Sequence, residues 1–408
     1  MKTFLFILIL IASFQFSFSQ NLGKLKPGKW LGELQLTSVE KLPFNLEVKK
    51  TKNTYTFTVL NADERIELTT SELINDSLHV LFPLFNSELV FKIHSKKKIE
   101  GYWVNKNKKN YRVPFRAIVS KANRFEAIEN GKNEDFSGRW ETEFSKDGLD
   151  KYPALGIFQQ SSDKISGTFL TETGDYRFLE GNIYGNQLFL SCFDGSHAFL
   201  FKATKKEDGS LDGKFYSGNH WNSEWVAVKN DTFELPHPDS ITYIKDDTSV
   251  LNFELKDLNG KTYSYPNENL KNKVVIIQLM GTWCPNCMDE TRYFKELFDK
   301  YHSQGLEIIS IGYEVGEDYN QYVKRIKAYQ EKLKLDFTFL VGGQASKGLA
   351  AEQFPMLSDV TSFPTSIFIG KDGSIQRIHT GFNGPGTGVY YIEYIEKTEA
   401  LIQSLLKN

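Results

Sequence analysis

The sequence predicts two kinds of structure in one chain: an antiparallel all-β region up to about residue 230, and an α/β sheet from about residue 250. Three observations carry this. Residues from about 24 to 230 alternate apolar and polar side chains, as in Glu88 to His94 and His197 to Lys202, and the runs break at turns such as Asp208-Gly209. After the two prolines of Glu234 to Asp239 the period changes: Val274 to Leu279 is a continuous apolar run, as in a buried central strand, and a helical pattern follows it. The composition, 40% hydrophobic with 32 Phe and 19 Tyr in 408 residues, is globular and rich in aromatics that pack well on sheets.

Within the β region a repeat is visible. Gly28-Lys-Trp30 recurs as Gly138-Arg-Trp140, Pro43 as Pro153, Leu78 as Leu188, and Phe91-Lys92 as Phe201-Lys202, all at an offset of 110, with Gly101-Tyr-Trp103 answered by Gly213-Lys-Phe215 at 112. This predicts a duplicated β unit, 20–122 and 132–231, as two barrels or sandwiches or as the halves of one closed sheet, since closure removes strand edges. A linker is expected at 232–249 and the α/β domain at 250–408.

In the α/β part, runs at Leu251 to Leu255 and Tyr263 to Tyr265 flank Asn259-Gly260, a type I′ hairpin signal. Helices are expected at about 285–302, 319–332, 347–353 and 390–406, and strands at 306–312, 337–341, 365–370 and 375–380, the last two turning at Lys371-Asp372-Gly373.

The N-terminus reads as an export leader: Lys2, an apolar run from Phe4 to Phe14, then small residues before an expected cleavage ahead of Gln20, giving a leader of 1–19. That run is short for a bilayer span, and no cysteine follows it to carry a lipid. The expectation is an exported, periplasmic protein with no membrane span in the mature chain. With 49 basic against 51 acidic residues, electrostatics give no reason to expect a nucleic-acid partner.

Chemistry concentrates in Gly281 to Cys287, GTWCPNC, which holds two of three cysteines. Cys284 sits where a strand ends and a helix begins, so unsatisfied N–H groups and the helix dipole favour its thiolate. Cys287, one turn later on the same face, is placed to attack a mixed disulfide at Cys284, release the product and form Cys284–Cys287. Pro285 fits the first helical turn. Zinc would need four ligands, but Cys192 is alone and no histidines are spaced as a pair, so neither metal nor cofactor is expected. A purely structural clip gains little, because so short a loop barely restricts the unfolded chain. Cys192, in the β run Leu188 to Phe193, reads as a buried inert thiol.

With Trp283-Cys284-Pro-Asn-Cys287, Glu290 and the later Phe363-Pro364-Thr365, residues 250–408 resemble the thioredoxin fold. They resemble more closely the exported TlpA/ResA-type thiol-disulfide oxidoreductases of bacteria, some of which carry N-terminal β domains. The resemblance implies that Cys284 attacks and Cys287 resolves, that Pro364 is a cis-proline against the disulfide, and that Trp283, Phe363 and Thr365 meet the substrate. It also implies protein thiols or disulfides and an upstream redox donor as partners, with reduction the expected direction. One departure stands out. Where thioredoxin has a buried Asp that relays the resolving thiol's proton, this chain has Gln278, so the relay is expected at Glu314 or Glu290. A second is Arg292, where relatives often have a kinking proline.

Two alternatives are weighed. A thiol peroxidase on the same fold normally has Thr or Ser three residues before its cysteine and Pro four before that; here Gly281 and Ile277 stand there. A binding module with an accessory redox domain is suggested by the size of the β region. Its segments Thr171 to Arg177 and Ser217 to Trp221 cluster polar and aromatic residues at strand ends, although ordinary turns explain them as well.

Overall fold

The computed structural model describes residues 25–51, 54–128, 131–145, 148, 150–245 and 251–407. The expected leader and the last residues of the expected linker lie outside these. Both predicted kinds of structure are present.

Eight strands, from Gly28–Gln35 to Arg112–Val119, each pair antiparallel with the next, and the first closes on the last through Trp30 opposite Val119 and Leu34 opposite Phe115. Alternation sets which side chains fill the barrel. In Lys41–Thr51, Leu42, Phe44, Leu46 and Val48 are buried while Glu47 and Lys49 face outward.

The second half closes in the same way. Gly138–Phe144 pairs with both Tyr152–Ser161 and Trp221–Lys229, and Tyr152–Ser161 also pairs with Lys164–Thr171, which completes a ring. A two-residue strand, Gly174–Asp175, hangs from Leu170 and Thr171 at its rim. The core is aromatic: Phe201 lies flat on Phe215 at 4.3 Å, and Phe144 meets Phe169 edge-on at 5.3 Å.

Trp30 and Trp140 occupy equivalent places. Each follows a glycine of positive φ (Gly28 at 125°, Gly138 at 98°), is buried, and donates its indole N–H at 2.9 Å to a carbonyl four residues back, Lys26 or Phe136. The barrels meet through polar contacts: Asn61 exchanges hydrogen bonds with the backbone of Phe193, Ser191 Oγ donates to Pro43 O at 2.6 Å, and buried Arg124 donates to Glu180 and to Leu60 O, both at 2.7 Å.

The C-terminal domain is a seven-stranded sheet in the order Thr262–Tyr265, Phe253–Asp257, Thr338–Gln344, Leu306–Glu314, Val274–Met280, Thr365–Ile369, Ile375–Thr380. The three central strands are parallel and Thr365–Ile369 joins them antiparallel. Every residue of Val274–Met280 is buried, as a strand covered on both faces requires. Helices α1 (Pro285–Tyr301), α2 (Tyr319–Leu333), α3 (Lys347–Gln353) and α4 (Val389–Lys407) cover the sheet. This is a thioredoxin-like fold. No helix among the described residues is long and apolar enough to cross a membrane.

One local expectation changes. The hairpin at Asn259-Gly260 forms, but not on a type I′ turn: Gly260 has φ 83° while Asn259 does not turn left-handed. Asp257 instead builds a longer loop by accepting the N–H groups of Asn259 at 2.8 Å and Lys261 at 2.9 Å. The expected linker makes specific contacts where it is described. Asp239 accepts from Arg377 Nε at 2.9 Å and pairs with His379 Nδ1 at 2.6 Å, and Lys245 N–H donates to Met356 O at 2.9 Å. Asp239 and buried Thr242, whose hydroxyl lies 2.7 Å from that of Thr380, dock on the edge strand, while Glu234, His237 and Lys245 face water.

Candidate active site

The buried strand Val274–Met280 delivers the chain to Gly281, and Pro285 starts α1, which leaves Cys284 as the N-cap. Its backbone is extended (φ −97°, ψ 117°), and its Sγ accepts the N–H of Cys287 at 3.3 Å. Free amides at a helix start attract negative charge. Cys284 is 8% exposed and Cys287 0%, so only the first sulfur can meet a partner. Burial, then the neighbouring Cys284 sulfur and the Glu290 carboxylate push the Cys287 thiol well above its ordinary range. The two thiols are unbonded in this structure.

The Phe363–Pro364 peptide bond is cis, and the Cys284 thiol donates to Phe363 O at 3.5 Å. Phe363 stacks on Tyr313 at 5.0 Å, and Trp283 fixes the same residue by donating its indole N–H to Tyr313 O at 2.9 Å. Thr365 is buried behind them and gives its hydroxyl to Ser362 O at 2.9 Å, holding the loop.

The two candidate acids have separate surroundings. Glu290, on α1 three residues after Cys287, is fully buried and accepts from Gln278 Nε2 (2.9 Å), Ser366 Oγ (2.9 Å) and Tyr394 OH (2.8 Å). Burial outweighs these three donors, and its carboxyl is pushed up to about 7. Gln278 is held in turn by Ser310 at 2.9 Å and Thr291 at 3.1 Å on its carbonyl oxygen, so the amide that replaces an acid serves to orient one. Glu314 is also buried and pushed up to about 7 by burial. Its oxygens hold the N–H and hydroxyl of Thr282 at 2.8 and 2.6 Å, which fixes the turn before Trp283. Of the two, Glu290 is the carboxylate whose charge bears on Cys287.

The second barrel closes over this centre. Asn286, between the two cysteines, donates its side-chain amide to Phe382 O at 3.3 Å and Asp175 O at 3.5 Å, and it packs so tightly on Gly174 that a Cβ there would collide with it. Ser362 Oγ donates to Thr173 O, and Ser196 Oγ to Trp283 O, both at 3.0 Å. Asp175 accepts the Gly384 N–H at 2.7 Å. Behind the rim, buried Arg177 bonds Asp289, two residues after Cys287, and Glu64 of the first barrel at 2.6 Å, and lies 3.7 Å from Asp194. Burial opposes its charge, but Asp289, Glu64, Asp194 and Asp175 outweigh burial, so the guanidinium stays ionised and ties all three units together.

Between rim and cysteines a cleft of about 640 Å³ remains. Trp283, Cys284 and Phe363 line one side; Tyr152, Tyr176, His197 and Phe199 line the other. A second cavity of about 480 Å³, lined by Phe82, Phe85, Arg325 and Lys332, opens on another side of Trp283. Among the described residues no three His, Cys, Asp or Glu side chains converge as metal ligands would. Cys192 is wholly buried in the second barrel.

Thr171 to Arg177 was readable as a polar and aromatic cluster, but nothing local ties it to a site about 110 residues further on. Asp289, Ser196 and Tyr394 carried no signal, because their roles exist only through contacts between distant segments.

Comparison with known proteins fits this geometry. The model of the AhpC/TSA family matches residues 247–378. The thiol-disulfide oxidoreductase ResA of Bacillus thuringiensis subsp. konkukian is 32% identical over 149 residues, which is 36% of this chain and 74% of that protein. ResA of Halalkalibacterium halodurans is 28% identical over 132 residues, 32% of this chain and 66% of that protein. A solved structure, a putative thiol:disulfide interchange protein DsbE from Chlorobium tepidum, is 17% identical and aligns with 40% of this chain and 99% of its own, with a TM-score of 0.31.

Proposed function

The chain belongs to the ResA thiol-disulfide oxidoreductases, and from that premise we propose that it reduces disulfides in protein substrates through Cys284 and Cys287. The observation that carries the reading is the pair itself: one sulfur at a helix N-cap facing a cleft, the other buried one turn behind it beside a carboxylate.

The Cys284 thiolate attacks one sulfur of a substrate disulfide. That S–S bond breaks as the Cys284–substrate bond forms, and the departing sulfur takes up a proton. Cys287 then gives its proton to Glu290 and attacks Cys284. The mixed disulfide breaks, the second substrate thiol leaves protonated, and the Cys284–Cys287 disulfide forms. Two electrons have passed to the substrate, and an upstream dithiol donor must return them. Glu290 suits the relay because Gln278, Ser366 and Tyr394 orient its carboxylate to take up a proton, whereas Glu314 is committed to Thr282. The leader in the sequence supports action outside the cytoplasm.

Replacing Cys287 with Ser should trap substrate proteins on Cys284 as adducts that dithiothreitol releases; an absence of such adducts defeats the reading. The reduction potential tests direction: a value near about −270 mV supports reduction, and one near about −120 mV supports oxidation.

A further inference from the structure

The cleft has two walls of different origin, and the wall facing the redox domain belongs to the second barrel. We infer that Tyr152, Tyr176, His197 and Phe199 select the substrate, and that the cleft takes an extended, cysteine-bearing polypeptide segment with a bulky aromatic or aliphatic residue beside the reacting cysteine. This rests on the disulfide-exchange reading of the site.

The wall is built and held. Tyr152 and Tyr176 share a hydrogen bond between their hydroxyls at 2.7 Å, so neither ring is free to leave. His197 lies flat on Phe199 at 4.6 Å, and its backbone N–H is fixed by Asp194 at 2.6 Å. Opposite stand Trp283 and Phe363, so a side chain entering next to Cys284 meets aromatic surface from both sides. Charge gives little guidance: Glu172 and Lys347 at the margin are of opposite sign, and Asp175 is engaged by the N–H groups of Gly384 and Arg177 at 2.7 and 2.6 Å. What remains to discriminate is apolar burial.

Shape sets the rest of the substrate class. The rim bonds directly to the backbone at Trp283 and through Ser362 to the loop before Pro364, so the flanks of the cysteine motif are already covered. A flat folded surface cannot reach Cys284 past them. A protruding or unfolded segment can, and the volume lies within the range of ordinary ligand pockets.

The test uses the full chain in its dithiol form and two symmetric peptide disulfides that differ only in having Phe or Ser next to cysteine, with bis(2-hydroxyethyl) disulfide as a small probe. The Phe peptide should react about tenfold faster, the effect of burying much of one aromatic side chain. Tyr152→Ala and His197→Ala should each reduce that ratio to about twofold. Equal rates for the two peptides in the wild type overturn the proposal, as does a ratio that persists in both folded variants; if either variant fails to fold, the wild-type ratio decides. A chain that exchanges with neither peptide nor the small probe overturns the oxidoreductase reading itself, and this proposal with it.

Discussion

The two barrels differ most instructively at one strand. In the first, Glu64–Ile74 runs continuously and pairs with both neighbours. At the offset of 110 its counterpart is broken: Gly174–Asp175, an interruption at Tyr176-Arg177-Phe178, then Leu179–Tyr184. Arg177 takes a left-handed backbone, φ 65°, which a regular strand does not permit. The break turns Arg177 into the junction of the three units and throws the Gly174 turn onto Asn286. A continuous strand spends its backbone groups on its neighbours; an interrupted one has groups left to reach another domain. The broken strand, unlike the continuous one, bonds directly to the turn that carries Asn286.

That contrast is open to direct attack. Arg177→Leu leaves Asp289, Glu64 and Asp194 without their shared cation and should lower the unfolding free energy by about 3–5 kcal/mol in denaturant titration. Glu67→Leu, the exposed equivalent on the continuous strand, should change it by no more than about 0.5 kcal/mol. Equal effects would erase the distinction.

Glu290→Gln should slow resolution of the mixed disulfide roughly a hundredfold in single-turnover kinetics, with little effect on first attack by Cys284. The wild-type resolving step should quicken as pH rises through about 7, where Glu290 ionises, and the variant should lose that inflection. Stability moves the other way. A carboxyl raised in the folded state contributes stability that is complete below its unfolded value, near 4.5, and is lost as pH rises through about 7. Chemical denaturation of Glu290→Gln across that window should show a flatter slope than the wild type, with the remaining slope set in part by Glu314.

Gly174→Ala should cost about 2 kcal/mol, because a Cβ meets the Asn286 amide and φ is 141°. It should also slow disulfide exchange, whereas the equivalent position of the first barrel already carries Glu64. One further pair of effects should be symmetric: Trp30→Phe and Trp140→Phe each lose one indole hydrogen bond, and each should cost at least about 1 kcal/mol.

The cysteine motif was legible because its signals are local. Two cysteines three positions apart after an apolar run, with a proline between them, define a strand, a cap and a helix in one short stretch. The alternation that made the barrels legible works in the same way, since period 2 reports a strand whatever it packs against. What the sequence hid lies in side-chain partnerships that no local pattern reports. Gln278 looked like a lost acid, and its work on Glu290 depends on Ser310, Thr291 and the fold of α1. Asn259-Gly260 pointed to a two-residue turn, and the side chain of Asp257 decided otherwise. Arg177 stood inside a recognised cluster, but the two partners that join it to the other units, Glu64 and Asp289, are more than 110 residues away on either side.

The central claim is that the broken strand belongs to the redox site. Hydrogen–deuterium exchange of the full chain, compared between the dithiol and the Cys284–Cys287 disulfide, tests it most directly. Asn286 lies between the two sulfurs that the disulfide would join and touches Gly174 and Asp175, so protection should change at residues 171–177 and stay constant across Gly28–Gln35 of the first barrel. No change at 171–177, or the same change in both regions, would contradict the account.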